Sequence, residues 1–250
     1  DSAAALAIAC AGSIEAFAGL MNARAGDLGL SDTHFANPHG LSDKEHYTTA
    51  YALAMIAAEA MDNAVFRQIV STRRHTIRYN GAENGRYLAN HNTMMKSYDG
   101  MIGIKTGYTM ADGKCLVSAA ERDGMTLIAV TLGDNSVYAS QLLDAGFASF
   151  ERVEAIPQGG FPVEVRVAGG TEEFLHASAG EGVSVCVPKG AALSFAVEAE
   201  RFVYAPVARD ACVGRIVCSA GGTVVASVPL RSEDEIDRKR LSFWEKLFGS

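Results

Sequence analysis

The chain has 250 residues, 48% apolar and 20% charged, with a formal net charge of -7 at pH 7. That length suits one large domain or two ordinary ones around real cores, and the acidic balance argues against a nucleic-acid partner, which needs a basic stripe. No run reaches the ~18 apolar residues of a membrane-crossing helix, and no basic segment followed by an apolar one opens the chain as a signal peptide would.

In chain order, Ser2 to Cys10 is an uncharged, Ala-rich run that reads as a buried helix without a full capping signal before it. Gly12-Ser13 breaks it. A second helix follows, with Ser13 as N-cap, Ile14, Phe17, Ala18 and Met21 on one face, and Gly26 and Gly29 at its end. Residues 31–47 are a loop of turn formers (Asn37-Pro38, His39-Gly40, Ser42-Asp43), which Asn37 is expected to close through its own side chain. Thr48 or Thr49 caps a third helix running to about Met61, with Glu59 and Asp62 as solvated charges at its end. Residues 72–93 read as a hairpin with two Asn-Gly pairs, at 80–81 and 84–85. Residues 114–132 read as a clearer one, turning at Asp123-Gly124. Residues 136–152 read as a helix with Val137, Leu142, Leu143, Phe147 and Phe150 as its main apolar residues.

Near Ile156-Pro157-Gln158-Gly159-Gly160 the texture changes, and short Val-rich strands continue to Leu230. Val163-Glu164-Val165-Arg166-Val167 and Val183-Ser184-Val185-Cys186-Val187 both alternate, as strands of a β-sandwich do. The domain boundary is therefore expected near residue 155, giving 1–155, 156–232 and a tail, 233–250. In the tail, Leu241, Trp244, Leu247 and Phe248 share one face of an amphipathic helix beside Arg238, Lys239 and Arg240, a pattern suited to an anionic membrane surface or to docking on the β-domain.

The five cysteines (Cys10, Cys115, Cys186, Cys212, Cys218) contain no C-x-x-C pair. They read as small buried thiols, with a Cys212–Cys218 bridge between neighbouring strands as the alternative. The six histidines make no metal-binding spacing, and no cofactor is expected.

One tripeptide points to chemistry. Lys105-Thr106-Gly107 follows the apolar Ile102-Gly103-Ile104 and precedes Tyr108-Thr109 and a turn at Asp112-Gly113. On a strand edge, a lysine and a threonine can hold a carboxylate by charge and by hydroxyl, and a glycine lets a substrate backbone come close. By itself the tripeptide is weak, and a surface strand end with a solvated lysine reads equally well.

With its flanks it resembles the third motif of penicillin-binding proteins and serine β-lactamases. Gly19-Leu20-Met21-Asn22, Leu28-Gly29-Leu30 and Thr33-His34-Phe35-Ala36-Asn37-Pro38-His39-Gly40-Leu41 are similar to the segment after the second motif of D-alanyl-D-alanine carboxypeptidases of the S11 type. Ala205-Pro206-Val207, Val213-Gly214-Arg215-Ile216-Val217 and Val228-Pro229-Leu230 are similar to that family's trailing β-domain. The resemblance implies an α+β fold. It would be part of a β-lactamase/transpeptidase-like domain, helices on an antiparallel sheet, followed by a small all-β sandwich.

It also implies a serine hydrolase that removes the last D-alanine of peptidoglycan stem peptides through an acyl-enzyme, with β-lactam antibiotics as ligands of the full-length enzyme. Lys105 would supply positive charge, Thr106 would bind the substrate carboxylate, Gly107 would keep the strand open, and the Tyr108 N–H would be one oxyanion donor. Tyr108 would also shape the mouth of the pocket or pack as a surface aromatic. The protein would be exported, to the periplasm or the outer face of the cytoplasmic membrane, with the tail as anchor.

Two motifs of the resemblance are absent. No Ser-x-x-Lys and no Ser-x-Asn occurs in the 250 residues. Thr93-Met94-Met95-Lys96 has the first spacing with threonine, but in the wrong order along the chain. Asp1-Ser2-Ala3-Ala4-Ala5 resembles the start of the Ala-rich helix just after the second motif, so the nucleophile and its lysine are expected upstream of residue 1. The family's arginine in the helix after strand 125–132 is also missing, with Ser140 about where it would stand. The chain alone is therefore expected to be inactive. The competing readings are a non-catalytic module binding wall peptide or protein, and a fragment that completes a site with another polypeptide.

Overall fold

The computed structural model describes residues 2–78, 85–133 and 136–240. The chain divides into two units, Asp1–Ala148 and Ser149–Ser250.

In the first unit, α1 (Ser2–Ala11) and α2 (Ile14–Asp27) are separated by Gly12 and Ser13, and the Ser13 hydroxyl accepts from Ala16 N at 3.0 Å. Gly29, at φ +72°, closes α2, while Leu30 N donates to Ala25 O at 2.9 Å. α3 (Ala50–Met61) starts from a Thr49 cap, and α4 (Ala64–Ser71) from Asn63, which accepts from Val65 N and Phe66 N. β1 (Arg74–Ile77) and β2 (Arg86–Ala89) pair antiparallel as the expected hairpin; of its two Asn-Gly pairs, residues 80–81 and 84 lie outside the described residues. The short α5 (Met94–Ser97) leads into β3 (Met101–Thr109), β4 (Gly113–Arg122) and β5 (Met125–Thr131), a meander in the order β3-β4-β5. Asp123 and Gly124, both at positive φ, make the expected two-residue turn. α6 (Ser136–Ser149) follows.

Strand alternation places helices on both faces of this sheet. Leu116 and Ala120 pack with Met94 and Met95 and with Ala139 and Leu143 of α6. Ala119 and Ile104 pack with Ala57 and Met61 of α3, with Val117 beside them. The Thr93–Lys96 spacing is thus a helical turn that buries Met94 and Met95 at 2% exposure, a packing feature.

Four expectations need correction, the last of them across both units. α1 buries only Ala7 and leaves Leu6 and Ile8 exposed, so it is not a buried helix. Glu59 is exposed at the end of α3, as expected, and is also ion-paired with Arg24. α4 has no counterpart in the expected elements. The 136–152 helix ends at Ser149, and Phe150 begins a strand. Of the five cysteines only Cys218 is buried. Asn37 does close its loop, accepting from Gly40 N at 2.8 Å and donating to Leu41 O at 2.9 Å.

The second unit comprises β6 (Phe150–Ile156), β7 (Val163–Ala168), β8 (Phe174–Ala179), β9 (Val183–Pro188), β10 (Leu193–Ala199), β11 (Phe202–Tyr204), β12 (Cys212–Ala220) and β13 (Thr223–Ser232). Six strands form one sheet in the order β10-β12-β13-β8-β7-β11, and β6 pairs with β9. One continuous core joins Ile156 and Val187 of the ribbon to Val165, Leu175, Ile216 and Leu230 of the sheet. Because β6 pairs along its length with β9, from Phe150↔Pro188 to Ile156↔Val183, the β-unit begins ahead of the residue-155 boundary drawn from composition. Cys212 and Cys218 lie on the same strand, six residues apart, so no bridge joins them.

Beyond β13 the chain runs extended over the unit. Val207 and Ile236 exchange backbone hydrogen bonds of 2.8 Å, Ile236 is buried, and Thr171 N donates to Asp237 O. His176 N and Nδ1 both contact Asp234 Oδ2, at 2.7 and 2.9 Å. The expected amphipathic helix falls mostly on residues 241–250, outside the described residues.

Candidate active-site wall

Lys105, Thr106, Gly107 and Tyr108 all lie on β3, which is held by β4 on one side and by no described strand on the other. The register sets Lys105↔Val117, Thr106↔Leu116, Gly107↔Cys115 and Tyr108↔Lys114. The strand therefore offers an open row of backbone groups to which an extended peptide can add.

Lys105 is exposed, and its Nζ donates to the Thr106 carbonyl rather than to any carboxylate. Among the described residues the Thr106 hydroxyl has no hydrogen-bond partner, so it is free for a ligand. A Cβ on Gly107 would meet Cys115 Cβ at 3.8 Å, an ordinary contact. The fold thus does not require glycine there, and a bare backbone on the open side is left as its use. Tyr108 is 69% exposed.

Two cavities flank the motif. One, of about 410 Å³, is apolar and lies between α3, α4 and the sheet, with Leu53, Ile56, Phe66 and Val70 facing Ile104 and Lys105. The other, of about 620 Å³, is lined by Phe35, His46, Tyr47, Tyr108 and Asp112. Leu53, Gly107 and Cys115 line both, so the motif strand is the partition between them.

Sequence reasoning missed what fixes the far end of β3. Ser42 Oγ lies 2.9 Å from Asp112 Oδ2 and 3.1 Å from Thr109 Oγ1. The Thr109 hydroxyl also donates to Asp112, whose N–H returns a 2.9 Å bond. This clasp ties the 31–47 loop to the turn after the motif. The bond from Thr109, and then that from Ser42, holds the Asp112 carboxyl below the ordinary carboxylate range. Beside it, burial lowers the His46 pKa against the pull of Asp43 and Asp112, and its Nδ1 accepts from Ala36 N at 3.2 Å, as a neutral ring does. The only signal for the clasp was a hydroxyl and a carboxylate in two turns 70 residues apart.

The remaining site expectations fall as follows. Ser140 donates to the Val137 carbonyl at 2.8 Å and brings no charge. His34 and His46 serve the loop through Glu45 O and Ala36 N. No single helix among the described residues is long and apolar enough to cross a membrane.

Comparison with known proteins gives this strand a family. Residues 1–136 match the family model of D-alanyl-D-alanine carboxypeptidases, and residues 150–238 match that of the penicillin-binding protein 5 C-terminal domain. D-alanyl-D-alanine carboxypeptidase DacF of Bacillus subtilis is 28% identical over all of this chain, which spans 66% of that relative. DacC of Escherichia coli is 31% identical over 92% of the chain and 58% of the relative. The chain therefore spans less than two thirds of the length of these curated relatives. Penicillin-binding protein 5 from Haemophilus influenzae superposes with a TM-score of 0.69 at 28% identity, covering 94% of this chain and 70% of that one. The mixed unit carrying the Lys105 strand and the β-unit that follows it in the chain are matched in order, and the chain belongs to the D-alanyl-D-alanine carboxypeptidase family of S11 peptidases.

Proposed function

We propose that Lys105, Thr106, Gly107 and Tyr108 form one wall of a serine-type D-Ala-D-Ala carboxypeptidase site, and that this polypeptide does not complete that site alone. The observation that carries the reading is Lys105-Thr106-Gly107, with Lys105 and Gly107 exposed and Thr106 half-buried, on an open strand edge, in a chain without any Ser-x-x-Lys or Ser-x-Asn. In the complete site, a serine supplied by another segment attacks the carbonyl between the two D-alanines. The last D-alanine leaves, and water hydrolyses the acyl-enzyme. Lys105 and the Thr106 hydroxyl hold the terminal carboxylate, and the Tyr108 N–H stabilises the oxyanion. β-Lactams enter the same site in the complete enzyme. Loss of a serine nucleophile costs a factor of order 10⁶ in kcat in a serine protease, which is why the isolated chain is expected to be silent.

The test is covalent labelling by a fluorescent penicillin. The chain alone should show none above a boiled control; specific labelling would overturn the reading. A chimera placing the upstream segment of a family relative ahead of residue 1 should label, and its Lys105→Ala variant should label about 10²-fold more slowly. A chimera that labels equally well without Lys105 refutes the assigned role.

The absence of the two motifs also supports a second reading, a wall-peptide or protein-binding module. Binding of a D-Ala-D-Ala peptide by the chain alone, reduced in Thr106→Val, would favour it. In either case the protein acts outside the cytoplasmic membrane, with the tail beyond residue 240 at the membrane surface, since residues 233–239 are bonded to the β-unit; sedimentation with anionic liposomes, with and without residues 241–250, tests that placement.

A further inference from the structure

Residues 67–96 carry six arginines and lysines and one acid, Glu83, in a chain of net charge -7. Arg67 is ion-paired with Glu121. Among the described residues, none of Arg73, Arg74, Arg78, Arg86 or Lys96 has a carboxylate partner. All eight residues of β1 and β2 are exposed, so the ribbon is open on both faces. Two shallow hollows lie along it. One of about 580 Å³ is lined by Arg73, Arg74, Tyr87, Asn92 and Lys96; the other, of about 500 Å³, by Ile69, Arg73, Arg74 and His75.

The ribbon is joined to the motif strand. Asn90 Nδ2 donates to Val70 O and Thr72 O, at 3.1 and 3.3 Å, and its Oδ1 accepts from Asn92 N. Asn92 Nδ2 donates to Gly103 O at 3.2 Å, two residues before Lys105. Helix α4 is a shared wall, since Phe66 and Val70 line the cavity beside Lys105 while Gln68 and Ile69 line a hollow under the ribbon.

We infer that the β1–β2 ribbon docks the carboxylate-bearing peptides of an extended wall polymer, one end of which enters the Lys105 strand; this rests on the function proposed above. Cations without a carboxylate partner among the described residues, concentrated in an acidic chain, fit an anionic partner and steer it by long-range attraction. Four of the five are arginines, whose fork binds a carboxylate through two parallel hydrogen bonds. Their spread over both strands and two open hollows fits charges repeating along a polymer rather than one small anion. The hydrogen-bonded root at Asn90 and Asn92 sets a polymer gripped there next to the motif.

The test is co-sedimentation of the full chain with insoluble peptidoglycan stripped of phosphodiester polymers by hydrofluoric acid. Binding is expected at low salt, with marked weakening at high salt. The variant carrying Arg73→Gln, Arg74→Gln, Arg86→Gln and Lys96→Gln should bind about 10-fold or more weakly, from the summed loss of several exposed charge contacts, with an unchanged melting midpoint. Salt-insensitive wild-type binding would overturn the inference without recourse to any variant, and so would equal binding by a folded variant. Binding that vanishes on stripping would assign a phosphodiester polymer instead, and tighter binding to phosphatidylglycerol vesicles a membrane surface; each overturns it. Lys189→Gln, which removes an exposed charge of the β-unit outside both the motif and the ribbon, should keep its sedimentation. Failure of the penicillin experiment with this result standing would sink the catalytic reading and leave the platform.

Discussion

The two units bury their apolar side chains differently. The β-unit has one continuous core in which Ile156, Leu175, Ile216 and Leu230 are all fully buried. The mixed unit has three smaller clusters, and among its described large apolar side chains only Leu143 is buried to that extent. On its helices Leu6, Leu20, Tyr51, Val65 and Ile69 are exposed. Buried polar groups differ at one residue only, since Thr33, Asn92 and Ser118 of the mixed unit all have hydrogen-bond partners. In the β-unit Ser232 Oγ donates to Asp234 O at 2.8 Å and Ser178 reaches Glu233, whereas Thr131 Oγ1 in the mixed unit is buried with no partner among the described residues. The β-unit is thus a self-contained scaffold. In the unit that carries the motif, apolar helix residues and one edge of β3 are left uncovered by the described residues of this chain.

Core truncation should break the symmetry most. Ile216→Ala in the β-unit is expected to cost about 2–5 kcal/mol, while Leu6→Ala, at an exposed position, should stay within about 0.5 kcal/mol. Urea denaturation of both variants checks this, and a similar cost at both sites would refute the contrast. Glycine substitutions sharpen it. At Gly214 an added Cβ would sit 2.3 Å from Glu198 O, so Gly214→Ala must shift backbone and should cost about 1–3 kcal/mol. Gly107→Ala meets only Cys115 and should leave stability nearly unchanged while impairing labelling of the penicillin-reactive chimera.

Thr131→Val should stabilise the mixed unit by roughly 1 kcal/mol, because it removes an unpaired buried hydroxyl at equal shape; a lower melting midpoint would point to a partner for Thr131. The smallest effects are in pH, with opposite signs. The lowered Asp112 carboxyl contributes stability present above the ordinary carboxylate range and lost as pH falls through its lowered value. Hydrogen-exchange protection in residues 31–47, corrected for the intrinsic rate at each pH, should therefore fall on acidification, and Asp112→Asn should flatten that response. His176 is raised by its hydrogen bond to Asp234, so its contribution is full below its ordinary value of 6.5 and fades as pH rises through the raised one. Hydrogen-exchange protection in residues 233–240, corrected for the intrinsic rate at each pH, should fall toward alkaline pH, and His176→Gln should remove the trend.

The contrast between the units also marks where sequence reading worked. Val163–Val167 and Val183–Val187 alternate because each strand packs one face into a single core, and period two reports that directly. Ser13 and Thr49 were legible as caps because a cap is a contact within three residues. Reading failed where a local pattern fits two structures. Phe147 and Phe150 continue a helical period, but pairing with β9 turns Phe150 into a strand residue. The apolar run in α1 has the composition of a buried helix, yet burial depends on a partner that periodicity does not show.

The sequence by itself determined the family, the order of the units and the identity of the motif strand, because these rest on residues adjacent in the chain. It also showed that no Ser-x-x-Lys accompanies Lys105 here. Only the tertiary structure decided that β3 has an open edge, that Ser42 and Asp112 clasp its far end, and that Asn90 and Asn92 root a basic ribbon beside it. Such contacts join groups from distant turns, and their geometry is set by packing of whole elements rather than by any local preference.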